Sequence, residues 1–171
     1  MVEAKSDWEA ENFANIELNK IAEWATDNKI KFNERKSKAM LMTRRKRNEH
    51  KEIAIYLNNR TIPQVERIKY LGIIFDRKLT FKEHINYVTN KCTKLIFTLV
   101  KSAKLNWGLN HKARETIYLG EILPLLFYDV PVWVNAMILK SYKDKIITVQ
   151  RIINIKIAKH TGRHQMKHSV Y

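Results

Sequence analysis

The sequence predicts an α+β fold, with small antiparallel strands between one leading helix and a later run of helices. Apolar residues recur at helical spacing early, over Ala14, Leu18, Ile21, Ala22 and Ala25, and later over Ile85, Val88, Cys92, Leu95, Leu99 and Ala103. Between these stripes, apolar residues alternate or form short runs bounded by turn formers, as in Ile53, Ile55, Leu57 and in Ile68 to Phe75. Strands followed by helices, without βαβ alternation, give segregated layers.

The first helix is expected from Asp7 to Thr26, its stripe widened into the core by Phe13 and Trp24. Lys29 to Asn33 then alternates, with Ile30 and Phe32 on one side, as a half-buried strand does. A polar turn over Asn33 to Ser37 leads into Lys38 to Thr43, and a basic loop comes next. Asn58-Asn59 tolerates positive φ, so Ile53–Leu57 should turn back into Thr61-Ile62 as a hairpin. Ile68 to Phe75 reads as one buried strand, with Gly72 as a bulge or close backbone approach.

From Phe81 the period becomes helical, and a long helix over 82–107 is expected. Cys92 lies in its apolar stripe, as a small buried hydrophobe would. Asn110 can cap a helix from His111 to about Leu123, which Pro124 ends or kinks. Ser141 with Asp144 resembles a capping box opening a last helix that runs to about Lys159.

Thirty-two Lys and Arg against 17 Asp and Glu give a net charge of +15, a surface that seeks polyanions. The charge is segregated: residues 1–28 carry −5, residues 29–51 carry +8, and residues 140–171 carry +7. Arg44-Arg45-Lys46-Arg47 is denser than solubility requires and reads as a phosphate contact, a nuclear localisation signal or a floppy loop. Lys82, Lys91, Lys94, Lys101 and Lys104 surround the stripe of helix 82–107 and would meet phosphates as point charges. If about 6 phosphates are neutralised, log K should fall against log salt with a slope near −4 to −5.

Catalytic signatures are scarce. One cysteine excludes an intramolecular disulfide and a zinc site with two Cys ligands, and four glycines argue against a Gly-rich phosphate cradle. No two of the 17 acids are adjacent, whereas two-metal chemistry needs clustered carboxylates. His160, His164 and His168 recur every four residues, but Gly162 interrupts them and no Cys or carboxylate accompanies them, so a basic tail is expected there. The apolar stretch Ile122–Leu139 contains Asp129, Pro124, Pro131 and Asn135. An Asp in mid-span costs about 2.5–3.5 kcal/mol, which argues for a buried hairpin over a membrane span. Met1 to Asn12 holds no apolar run, so no secretory signal is expected and the setting should be nuclear or cytoplasmic.

Several motifs stand in a fixed order: Lys31-Phe32-Asn33, Lys36-Ser37-Lys38-Ala39-Met40, then Lys69-Tyr70-Leu71-Gly72-Ile73-Ile74-Phe75-Asp76-Arg77-Lys78-Leu79-Thr80-Phe81 with His84-Ile85. Further along come Ser102 to Gly108, Ile117-Tyr118, Leu123 to Trp133 and Gln150-Arg151. Over about residues 8–159 this order resembles the reverse transcriptase of non-LTR, jockey-like retrotransposons.

The resemblance implies an RNA-directed DNA polymerase cut through its palm. Residues 1–81 would be the palm end, with a primer-grip-like hairpin, residues 82–159 a helical thumb-like bundle, and residues 160–171 a divergent basic tail. The paired catalytic aspartates would lie upstream of Trp8. Lys36 matches the palm lysine that assists pyrophosphate departure, and Tyr70, Leu71 and Gly72 match the element that presses the primer's 3′ end. The implied partners are an RNA template, an RNA/DNA or DNA primer duplex and the upstream polymerase region. Magnesium is implied only for the complete polymerase, and no cofactor for this chain. Without a partner for the Phe32 and Met40 strands, the isolated chain should be poorly soluble or its first 80 residues loosely packed. A stand-alone basic nucleic-acid-binding module is the alternative from another class, and a basic scaffold or a membrane-surface protein using Ile122–Leu139 is a third.

Overall fold

The computed structural model describes residues 1–45, 52–105 and 111–165, with the backbone alone at 102–105, 111, 114 and 156–165. The chain forms two compact units, Met1–Thr80 and Phe81–Tyr171.

The first unit opens with α1, Asp7–Asp27. The Ser6 hydroxyl accepts the Glu9 N–H at 3.1 Å, and Asp7 and Glu9 place negative charge at the helix's positive end. The helix closes in a Schellman arrangement: Ile30 N–H reaches the Ala25 carbonyl at 2.8 Å, and Lys29 N–H the Thr26 carbonyl at 3.1 Å. Lys29 takes the left-handed position there, at φ 56°.

Two antiparallel strands, β1 (Ile55–Leu57) and β2 (Arg60–Ile62), are joined by Asn58-Asn59 with φ of 50° and 60°, as the asparagine pair predicts. Asn58 donates to the Glu34 carboxylate at 2.8 Å, and that bond holds the carboxyl below its ordinary range. Ile55, Leu57 and Ile62 form the core, with Ala14, Leu18 and Ala22 of α1 packed on them. The other edge of β1 is satisfied by helix side chains. Asn15 donates to the Ala54 carbonyl at 2.9 Å and accepts the Tyr56 N–H at 2.9 Å, while Glu11 accepts the Ala54 N–H at 3.1 Å.

This arrangement corrects two expectations. Lys29 to Asn33 forms no strand, because β2 holds one edge of β1 and Asn15 and Glu11 hold the other. Phe13 and Trp24 are exposed, Trp24 by 55%. The helix face toward the hairpin is filled by alanines and Leu18, which leaves these aromatics outside that contact. The segment around Met40 makes one parallel bridge, Ala39 to Gln64. An open groove of about 1170 Å³ lies between α1, this segment and the hairpin, lined by Ala14, Leu18, Ile21, Met40, Ile55 and Ile62 among others.

The second unit is helical. Its elements are α2 (Lys82–Leu105), α3 (His111–Ile117), a π-helical turn (Tyr118–Ile122), α4 (Leu123–Leu126), α5 (Val130–Trp133), a 3₁₀ turn (Val134–Ile138) and α6 (Lys140–Gln165). Its core gathers His84, Ile85, Val88, Cys92 and Ile96 from α2, and Ile122, Leu126 and Trp133 from the short helices. From α6 come Tyr142, Ile146, Val149 and Ile153, spaced 4, 3 and 4 residues apart.

Four expectations change in this unit. Pro124 does not end the helix: the Leu123 N–H bonds the Tyr118 carbonyl five residues back, and this wider turn accommodates a residue with no N–H to give. Ser141 lies inside α6, whose first turn hangs on the Leu139 carbonyl, so it opens no capping box. The helix runs through Gly162 to Gln165, since one glycine costs a helix only about 1 kcal/mol. The stretch 122–139 buries Leu126 and Trp133 but exposes Leu139, and Ile138 is 86% exposed. Among the described residues no single helix is long and apolar enough to cross a membrane; Glu115–Leu126 and Val130–Ile138 pass that test only as a pair bent by 42°. The Asn110 cap lies outside the described residues.

Candidate nucleic-acid interface

The segment expected as one buried strand is a hairpin. β3 (Arg67–Tyr70) pairs antiparallel with β4 (Ile73–Asp76), with Tyr70 opposite Ile73 and Arg67 opposite Asp76. Leu71 and Gly72 make the turn, at φ 46° and 88°. Both values are left-handed, so Gly72 serves the turn and makes no bulge. The tip carries its side chains outward: Tyr70 is 62% exposed and Leu71 70%.

Asp76 organises the turn that ends β4. Its Oδ1 accepts the N–H groups of Lys78 and Thr80, and its Oδ2 accepts the Thr80 hydroxyl, each at 3.1 Å. The carboxylate thereby fixes the backbone over these residues. The sequence signal for it is an acid four residues before a threonine, just after a strand, which hydrophobic periodicity does not register.

The basic candidates are dispersed. Lys91, Lys94 and Lys101 are exposed on α2, while His84, Ile85, Val88, Cys92 and Ile96 are buried. Lys91 Nζ stands 6.0 Å from the centre of the Tyr87 ring. The side chain of Lys104 lies outside the described residues. Lys145 of α6 donates to the Asn86 side chain of α2, a contact the sequence did not suggest.

In the first unit Arg44 is exposed, but Arg45 is engaged within the unit: its Nη2 donates to the Lys5 carbonyl at 3.1 Å and its Nη1 lies 3.6 Å from Asp7. Lys46 and Arg47 lie outside the described residues. Lys36 closes a short 3₁₀ turn, Glu34–Lys36, with its N–H on the Asn33 side chain and its own side chain exposed. Among the described residues no three His, Cys, Asp or Glu side chains come together to hold a metal ion.

The homologues of this chain are RNA-directed DNA polymerases and Pol polyproteins of non-LTR retrotransposons. One is the retrovirus-related Pol polyprotein from type-1 retrotransposable element R1 4 of Nasonia vitripennis, 33% identical over 97 residues, which are 57% of this chain and 24% of the relative. The RNA-directed DNA polymerase from mobile element jockey of Drosophila melanogaster is 34% identical over 100 residues, 56% of this chain and 10% of the relative. Another Pol polyprotein, from element R1 of Nasonia vitripennis, is 22% identical over 149 residues, 85% of this chain and 44% of the relative. The chain thus spans less than half the length of these relatives. No protein family profile and no solved structure matches it.

Proposed function

We propose that this chain is the duplex-gripping part of a non-LTR retrotransposon reverse transcriptase, and that the carboxylates holding the catalytic metals belong to polypeptide outside it. In this reading residues 1–81 are the palm end, residues 82–159 the thumb and residues 160–171 a divergent tail. The β3–β4 tip presses on the primer strand, the lysines of α2 hold duplex phosphates, and Lys36 assists the departing pyrophosphate.

The observation that carries the reading is the hairpin. Its turn presents an exposed tyrosine and leucine at the motif that resembles the family's primer-gripping element. A large apolar side chain in a left-handed turn is unfavourable for folding, which suits a surface kept for contact. A primer-extension assay on the purified chain tests the division of labour. No nucleotide incorporation is expected, and metal-dependent incorporation by the chain alone would refute it.

The second reading, a stand-alone basic nucleic-acid-binding module, is favoured by the net charge of +15. It predicts equal affinity for a primer–template junction and for blunt duplex, whereas a primer grip favours the junction.

A further inference from the structure

Arg77 lies just beyond β4 with its backbone fixed on both sides. Its N–H donates to the Glu66 carbonyl at 3.2 Å, and its carbonyl accepts the Thr43 N–H at 3.0 Å. Two of its guanidinium nitrogens, Nε and Nη2, are buried and have no hydrogen-bond partner among the described residues. These two share one edge of the guanidinium plane. Their N–H bonds run side by side and match two oxygens of a phosphate or carboxylate.

A guanidinium keeps its charge under any condition a folded protein tolerates, so it cannot relieve burial by losing a proton. Donor N–H groups buried without an acceptor are costly. The adjacent Asp76 carboxylate accepts from Lys78 and Thr80 and makes no hydrogen bond to these two nitrogens. The neighbouring chain is mainly basic. Arg44 and Arg45 come directly after Thr43, Arg67 stands opposite Asp76, and Lys78 is next in sequence.

We propose that the Nε/Nη2 edge of Arg77 is a receptor for a phosphate group. This rests on the reading that the chain binds nucleic acid, and it gives the first unit a directional phosphate contact. Because the edge is shielded from water, the oxyanion must displace the atoms covering it, and the contact then forms in a low dielectric.

The test uses the full chain with Arg77→Lys, which keeps the charge and loses the edge, and Arg77→Met, which loses both. An RNA/DNA hybrid, inorganic phosphate and pyrophosphate are the probes. Arg77→Lys should weaken hybrid binding by about 10- to 100-fold with the salt slope unchanged. Arg77→Met should weaken it as well and reduce the slope by about 0.9. Without phosphate, Arg77→Met should melt no lower than the parent. Protection of the parent from heat by inorganic phosphate or pyrophosphate, absent in Arg77→Met, assigns the edge to a free phosphate; protection by the hybrid alone assigns it to a backbone phosphate.

Hybrid affinity of Arg77→Lys equal to the parent's, with no phosphate protection, overturns the proposal. So does equal loss of melting temperature in Arg77→Met and Glu66→Gln, which marks an internal carboxylate as the partner. If the parent binds no hybrid at all, the nucleic-acid reading fails, and protection by inorganic phosphate or pyrophosphate alone decides the proposal.

Discussion

Cys92 shows what burial does to one side chain. It is fully enclosed, its Sγ is 3.9 Å from the Ile122 carbonyl, and burial pushes its thiol up to about 11. The thiolate is the reactive form, so the folded chain should resist a maleimide at pH 8 and react only as the helical unit opens. Rapid labelling of native protein would contradict this. The unfolded thiol loses its proton near 9, below the folded one, so the helical unit keeps this contribution below pH 9 and loses it as pH rises toward about 11. Urea midpoints measured across that interval check it. Trp133 is the larger anchor: it is buried, donates to the Tyr128 carbonyl at 2.9 Å and meets the His84 ring edge-on at 5.6 Å. Trp133→Ala should cost about 3–5 kcal/mol, read as a fall in the urea midpoint. Burial of Cys92 was legible from its place in a helical stripe. Exposure of Phe13 and Trp24 was not, because periodicity marks a face as apolar without saying which part of it meets a partner.

At the scale of elements, the β3–β4 hairpin separates stability from function. Asn-Gly is the favoured pair for a turn with both residues left-handed, and this chain has Leu71-Gly72. Leu71→Asn should therefore stabilise the hairpin by about 0.5–1 kcal/mol and, on the proposed function, weaken binding to a primer–template junction. A rise in both melting temperature and affinity would count against the tip as a contact. On α2, replacing Lys91, Lys94 and Lys101 together by Gln should leave the melting temperature nearly unchanged and reduce the salt slope of duplex binding by about 2.7. Helices were the more legible elements, since α1 and α2 keep to their apolar periods. Strands were less so. The largely apolar run from Ile68 to Phe75 hides a turn at Leu71-Gly72, because leucine carries no turn signal and a lone glycine in a strand also suits a bulge. Lys29 to Asn33 has the period of a strand but lacks an edge to pair with.

At the scale of the whole molecule, the two units are built differently. The helical unit buries long stripes from α2 and α6, whereas the first unit rests on two short hairpins, one helix and an open groove of about 1170 Å³. Amide exchange should therefore be faster over residues 29–43 than in the middle of α2. Strong, uniform protection from Lys29 to Phe81 would contradict a loosely packed first unit. Charge, more than any local motif, pointed to the class of partner, because a net +15 on 171 residues acts at a distance without requiring a particular fold. The most direct measurement is the affinity of the purified chain for an RNA/DNA primer–template duplex across a series of salt concentrations. A linear fall of log K with log salt, at a slope near −5, is expected for about 6 neutralised phosphates. Affinity that does not change with salt would contradict a chain that holds nucleic acid through its lysines and arginines.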